Sequence, residues 1–239
     1  MSHEALIEQV AWACRILADE GYEDLTLGHV SARGEDDRTI QIKRKGVALS
    51  EVTSADVLAF DIDSELSAAP PHMHLEAVLH QEVYRHREDV RCVLHGHPPY
   101  ATAFGATDAR FEPLTHDGVR FIDGLATYEG VPDLIMDSSQ AEAVAEALGR
   151  SSAVLLRNHG VLVSGPSVAW ATVTGVLLER SIQLQSIAMT LGRLQPIAPE
   201  LLERIHERKY QDGFELEYWD AWIRGLRRTG KAFDMPGEV

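Results

Sequence analysis

Six of the eleven histidines in this 239-residue chain, His72, His74, His80, His86, His95 and His97, fall within one short stretch. His95 and His97 stand two apart at the end of an apolar, β-branched run, Val90 to His95, which reads as a buried strand ending at Pro98. Residues i and i+2 of a strand project to the same face, so the two imidazoles can share one metal ion. His159, in the Asn-His-Gly turn between two apolar segments, would complete a tri-histidine site with positions left open for substrate. Neither an H-x-H pair nor a lone turn histidine specifies a metal by itself. Glu76 adds a carboxylate just ahead of that strand, on the helix before it, where it could serve as general acid or base near a bound substrate. An isolated glutamate there is otherwise a solvated helix-start residue, favoured by the helix dipole.

These residues need elements to position them. Leu6, Val10, Cys14 and Leu17 recur at helical spacing and predict an opening helix that stops near Gly21. Asp24 to Arg33 reads as a turn feeding a strand, and Thr39 to Lys43 and Val57 to Asp61 read as strands. Glu76, His80 and Val83 share one face of a helix running to about Arg85. Ser139 with Glu142 has capping-box spacing for a helix stopping near Gly149. Ala153 to Leu156 and Gly160 to Val163 are two strands around the His159 turn. A long helix follows Pro166, and Pro199 to Arg228 is mostly helical. The whole, residues 1–239, reads as a single α/β domain with a sheet covered by helices and a helical tail from about 199.

With 22 Lys+Arg against 37 Asp+Glu the net charge is −15, which disfavours nucleic acid and anionic membrane as partners, because both need a positive surface. No apolar run approaches the roughly 20 residues needed to cross a bilayer, and the first residues lack a secretory pattern, so a soluble, cytoplasmic protein is expected. Cys14 and Cys92 read as core residues.

Glu76 with His80 (E-x-x-x-H), then Tyr84, Arg85, Asp89, Val90, His95, His97 and Pro98, and L-L-R-N-H-G at Leu155 to Gly160, resemble the class II aldolase/adducin family. The segment L-T-L-G-H-V-S-A-R, Leu25 to Arg33, is similar to that family's Gly-Asn-hydrophobic-Ser element. The resemblance implies a three-layer α/β/α sandwich with a largely antiparallel central sheet, assembled as a homotetramer with sites between subunits. It implies one divalent metal ion per subunit, zinc, manganese or cobalt with iron also possible, on the residues matching His95, His97 and His159. Glu76 then handles protons. Because this chain keeps all three histidines, unlike the adducin branch, an enzyme is expected rather than a scaffold.

The departures from the family pattern bear on the substrate. The sugar-phosphate aldolases have Asn where this chain has His29, and Ser-Ser where it has His74 and Leu75. Compact phosphate-binding donors are thereby replaced by bulk, so a non-phosphorylated anionic small molecule is expected. Ser31, Arg33, Lys45 and Gly46, the last two beside the run Lys43-Arg44-Lys45, are further candidates for binding it, with His29 and His74. His116 falls where family aldolases place a tyrosine from the neighbouring subunit, and an imidazole there would transfer protons near neutral pH more readily than a phenol of pKa about 10.

The first expectation is a metal-dependent decarboxylase of a hydroxylated aromatic or pyridine carboxylate. A retro-aldolase on a non-phosphorylated hydroxy or keto acid, or a sugar-phosphate aldolase or epimerase, uses the same electronics. An iron-dependent oxygenase could use the same three histidines, because imidazole accepts several first-row metals.

Overall fold

Apolar residues at Ile40 and Ile42, and consecutively at Val93 and Leu94, make strands whose two faces are both covered, and the computed structural model, which describes residues 2–66 and 70–233, builds them into one sheet. Its strands are β1 (His29–Arg33), β2 (Thr39–Lys43), β3 (Val57–Asp61), β4 (Cys92–Gly96), β5 (Ala126–Tyr128), β6 (Ala153–Leu156) and β7 (Gly160–Gly165). They lie in the order β3-β2-β1-β4-β7-β6-β5. All neighbours are antiparallel except β5 and β6, which run parallel, so the sheet is mixed with one parallel edge. Register places His29 opposite His95 and His95 opposite Leu162.

The helices are α1 (His3–Leu17), α2 (Ala77–His86), α3 (Pro99–Gly105), α4 (Ser138–Leu148), α5 (Val168–Leu191), α6 (Pro199–Lys209) and α7 (Phe214–Arg228). One face of the sheet, carrying Val30, Ala32, Leu94, Val161 and Val163, packs against Val10, Cys14 and Leu17 of α1 and Val173, Val176 and Leu177 of α5. The other, carrying Ile40, Ile42, Val93, Val154 and Leu162, packs against Leu79 and Val83 of α2 and Val144 and Leu148 of α4. Each such fully buried aliphatic side chain contributes roughly 1.5–3 kcal/mol relative to exposure. The result is the expected α/β/α sandwich.

Local signals account for most boundaries. The Ser2 hydroxyl accepts from the Ala5 N–H at 3.2 Å and caps α1, and the chain leaves that helix through a kinked turn in which Gly21 adopts φ 97°. The expected Ser139–Glu142 capping box is not the one used. Asp137 caps α4 by accepting from the Gln140 N–H at 2.9 Å, and Ser139 donates to that same carboxylate, a charged acceptor that outcompetes a hydroxyl two residues later. Pro98 ends β4 as read, but Pro99 then starts α3, where its fixed φ and missing N–H suit the first helical turn. The three-residue edge strand β5 carries no periodicity long enough to read. Among the described residues no helix is long and apolar enough to cross a membrane.

Candidate metal centre and acid–base site

His95 and His97 leave the end of β4 on the α2 side of the sheet, the face on which Glu76 precedes α2. His95 Nδ1–H donates to the Val161 carbonyl at 3.0 Å, and His97 Nδ1–H donates to Asp24 Oδ2 at 2.9 Å. Each bond fixes a tautomer and leaves the Nε2 lone pair facing inward. Both Nε2 atoms are buried and meet no hydrogen-bond partner. His159 arrives from the β6–β7 turn, where Asn158 takes the left-handed region at φ 57°. Gly160 follows it because a Cβ there would lie 2.5 Å from the Gly96 carbonyl oxygen and 2.6 Å from His97 Cδ2. The ligand atoms of His95, His97 and His159 all lie within 4.8 Å of one another. Two orphaned buried nitrogens beside a third imidazole fit a divalent ion.

Glu76 is not a solvated helix-start residue, being only 7% exposed. Its Oε1 accepts from the Ile135 N–H at 3.0 Å and lies 3.5 Å from His159 Nε2, while Oε2 lies 3.6 Å from His95 Nε2 and 3.8 Å from His29 Nε2. Burial raises this carboxyl above the ordinary range, opposed by the Ile135 N–H and by His97. Burial, with His97 beside it, lowers His159 to about 4, and burial and His159 hold His95 well below its usual value. His95 and His159 are therefore held neutral, the state that binds a metal, and the carboxyl is shifted toward the range where it can give or take a proton.

His29 reaches this centre, with its ring centroid 5.0 Å from that of His95. His74 packs 4.4 Å from the His29 ring, but its Nε2 accepts from the Lys43 ammonium at 3.3 Å, so it acts as a support for Lys43. Lys43 also donates to the Thr26 carbonyl at 3.2 Å and has no exposed surface. The remaining sequence candidates lie elsewhere. Ser31 is wholly buried and spends its hydroxyl on His80 and Tyr84. Arg33 sits at the far end of β1, about 13 Å along a strand from His29, where its guanidinium donates to the Tyr84 carbonyl and packs over the Tyr84 ring. Lys45 and Gly46 form an exposed turn, so of the three basic residues in that run it is Lys43 that points inward. The end of β2 explains this, because Lys43 closes the strand whereas Lys45 has left the sheet. His116 is exposed, its carbonyl accepts from Tyr210 Oη at 3.0 Å, and among the described residues no side-chain contact ties it to the histidines.

Asp24 has no role in the sequence pattern, and Lys45 rather than Lys43 is the cation that the pattern favours. Asp24 orients His97 across 73 positions of sequence, a pairing without a local signal. His80 was legible only as a residue on the inner face of α2, and Lys43 only as part of a charge run.

Comparison with known proteins agrees with this geometry. A solved structure of an aldolase II superfamily protein from Pseudomonas syringae superimposes with a TM-score of 0.83 at 27% identity, covering 97% of this chain and 96% of that one. The 3,4-dihydroxyphthalate decarboxylase of Arthrobacter keyseri is 29% identical over 75% of this chain and 77% of its own length. An L-fuculose phosphate aldolase of Methanococcus maripaludis is 28% identical over 74% of this chain and 94% of its own. The model of the class II aldolase and adducin N-terminal domain matches residues 8–186, a span containing Glu76 and all three histidines of the centre, and the chain belongs to that family.

Proposed function

We propose that the protein is a divalent-metal-dependent carbon–carbon lyase that decarboxylates a hydroxylated aromatic or pyridine carboxylate. The observation that carries this reading is the convergence of His95, His97 and His159, two with orphaned Nε2 atoms, around the buried Glu76 carboxyl. A zinc, manganese or cobalt ion held by those three histidines would polarise adjacent substrate oxygens as a Lewis acid.

The chain's own residues do the rest. The ring carbon that bears the carboxylate is protonated first, with the electron pair supplied through the ring by the ionised neighbouring hydroxyl; the bond to the carboxylate then breaks, carbon dioxide leaves, and its electron pair restores the ring and the charge on that oxygen. Glu76, held toward its protonated form by burial, delivers a proton to the ring carbon. His29 stands on the far side of Glu76 from His159 as a partner for a substrate oxygen. The segments entering the site carry exposed Leu25, Leu27, Leu75 and Leu134, an apolar rim suited to an aromatic ring rather than a sugar phosphate. In a homotetramer the exposed His116 would serve a neighbouring subunit's centre.

The similarity to an L-fuculose phosphate aldolase keeps aldol cleavage as the second reading, in which Glu76 takes the hydroxyl proton instead. Metal-reconstituted protein screened by thermal shift against hydroxyaromatic acids and against sugar phosphates separates the two. A ligand at about 100 times its dissociation constant adds about 2.7 kcal/mol. Stabilisation by the aromatic acids followed by carbon dioxide release supports decarboxylation, and stabilisation by sugar phosphates alone refutes it.

A further inference from the structure

Four buried polar groups line up on the α2 face of the sheet and end at Glu76. Tyr84 Oη lies 2.8 Å from Ser31 Oγ, Ser31 Oγ 2.6 Å from His80 Nδ1, and His80 Nε2 2.6 Å from His29 Nδ1. His29 Nε2 then faces Glu76 Oε2 at 3.8 Å. No member is more than 2% exposed, so bulk water does not supply alternative partners.

Each short contact needs one proton and one lone pair. With neutral imidazoles the two rings can point either way along the string. If His80 donated to Ser31, that serine would either donate to Tyr84 or accept from it as well, and in both cases one hydroxyl hydrogen, of Tyr84 or of Ser31, would be left buried without an acceptor. Among the described residues the hydrogen-bond partner of Tyr84 Oη is Ser31 Oγ, and those of Ser31 Oγ are Tyr84 Oη and His80 Nδ1. Buried donors are rarely left unsatisfied.

We infer that the hydroxyl end of the string sets its direction: Tyr84 donates to Ser31, Ser31 to His80 Nδ1, and His80 Nε2–H to His29 Nδ1, so that His29 presents a fixed Nε2–H to an anionic substrate oxygen beside Glu76. Tyr84, Ser31 and His80 are thus positioning residues. His29, Glu76 and His95 also bring ligand atoms within 4.8 Å of one another, as the three histidines do. A nitrogen that carries a proton cannot ligate, which assigns the ion to His95, His97 and His159 and leaves His29 as a donor. The assignment holds whether carbon dioxide or an aldehyde leaves, so its failure is separate from failure of the proposed reaction.

The test is tautomer assignment by long-range proton–nitrogen NMR of the metal-free protein labelled with nitrogen-15 histidine, with His29→Asn and His80→Asn identifying the two rings. Both rings are expected as Nε2–H in the wild type and in Tyr84→Phe, where the Ser31 hydroxyl still has His80 Nδ1 to donate to. Ser31→Ala removes the group that biases His80, and mixed tautomers are expected there. An Nδ1–H His29 in the wild type, or Nε2–H rings unchanged in Ser31→Ala, overturns the inference. Should Ser31→Ala fail to fold, the wild type and Tyr84→Phe decide, and Nδ1–H rings in either overturn it. In parallel, His29→Asn is expected to bind zinc with the wild-type stoichiometry, and loss of the ion would show His29 to be a ligand.

Discussion

His97 Nδ1 and Asp24 Oδ2 lie 2.9 Å apart, a carboxylate holding the imidazole so that its other nitrogen faces His95 and His159. Outer partners of this kind orient a ligand and raise its basicity, and their loss costs about 10–100-fold in metal affinity. Asp24→Asn is therefore expected to weaken zinc binding by about that factor, measured by competition with a chromogenic chelator. His97→Ala removes the ligand itself and is expected to abolish stoichiometric metal while the fold survives. Wild-type affinity in both variants contradicts the assignment.

Glu76→Gln keeps the shape of the side chain and its acceptor for the Ile135 N–H but removes the transferable proton. Loss of a general acid lowers kcat by about 10²–10⁴-fold, with metal content unchanged. Steady-state kinetics on whichever acid passes the thermal-shift screen, with metal analysis of the same preparation, makes the comparison. Retained kcat would move proton transfer to another group.

Gly160→Ala tests the backbone approach beneath the centre. Its Cβ would collide with the Gly96 carbonyl and the His97 ring at 2.5 and 2.6 Å, so one or both must move. Overpacking of this sort costs about 1–3 kcal/mol. A lower midpoint in urea together with weakened zinc binding is expected, and unchanged values would mean the turn gives way freely.

The metal-free protein is expected to lose stability below neutral pH. Burial lowers the folded-state pKa of His80 to about 3, with His74 adding to the shift, whereas an unfolded histidine titrates at about 6.5. The unfolded chain then takes up a proton that the folded state refuses. The stabilisation is complete above about pH 6.5 and is lost as pH falls toward the folded value. For this one residue the loss at about pH 5 is about 2 kcal/mol, or about 4–8 °C in Tm. A melting temperature that stays level between about pH 7 and 5 would show that His80 is protonated in the fold.

The sandwich and the three histidines were readable because they rest on local or motif-level signals. Thr39–Lys43 alternates and Val57–Asp61 is a short apolar run, and the structure keeps both sets of bounds. His95 and His97 follow from strand parity. What escaped reading depends on distant partners. Ser31 and Arg33 share a face with His29, yet one is consumed by His80 and Tyr84 and the other lies at the wrong end of the strand. Lys43 and Lys45 are two apart in a charge run, and only the place where β2 stops decides which is buried. The cap of α4 moved from Ser139 to Asp137 because a charged acceptor was available two residues earlier.

β4, the source of two of the three histidines, lies mid-sheet with β1 on one side and β7 on the other. The spacing of its two imidazoles is consequently dictated by the hydrogen-bonded ladder on either side of the strand rather than by an ion. A chelator is therefore expected to strip a bound ion and leave the chain folded. A rigid frame also makes ionic radius and local supply, rather than adaptation of the protein, the arbiters of which cation it carries.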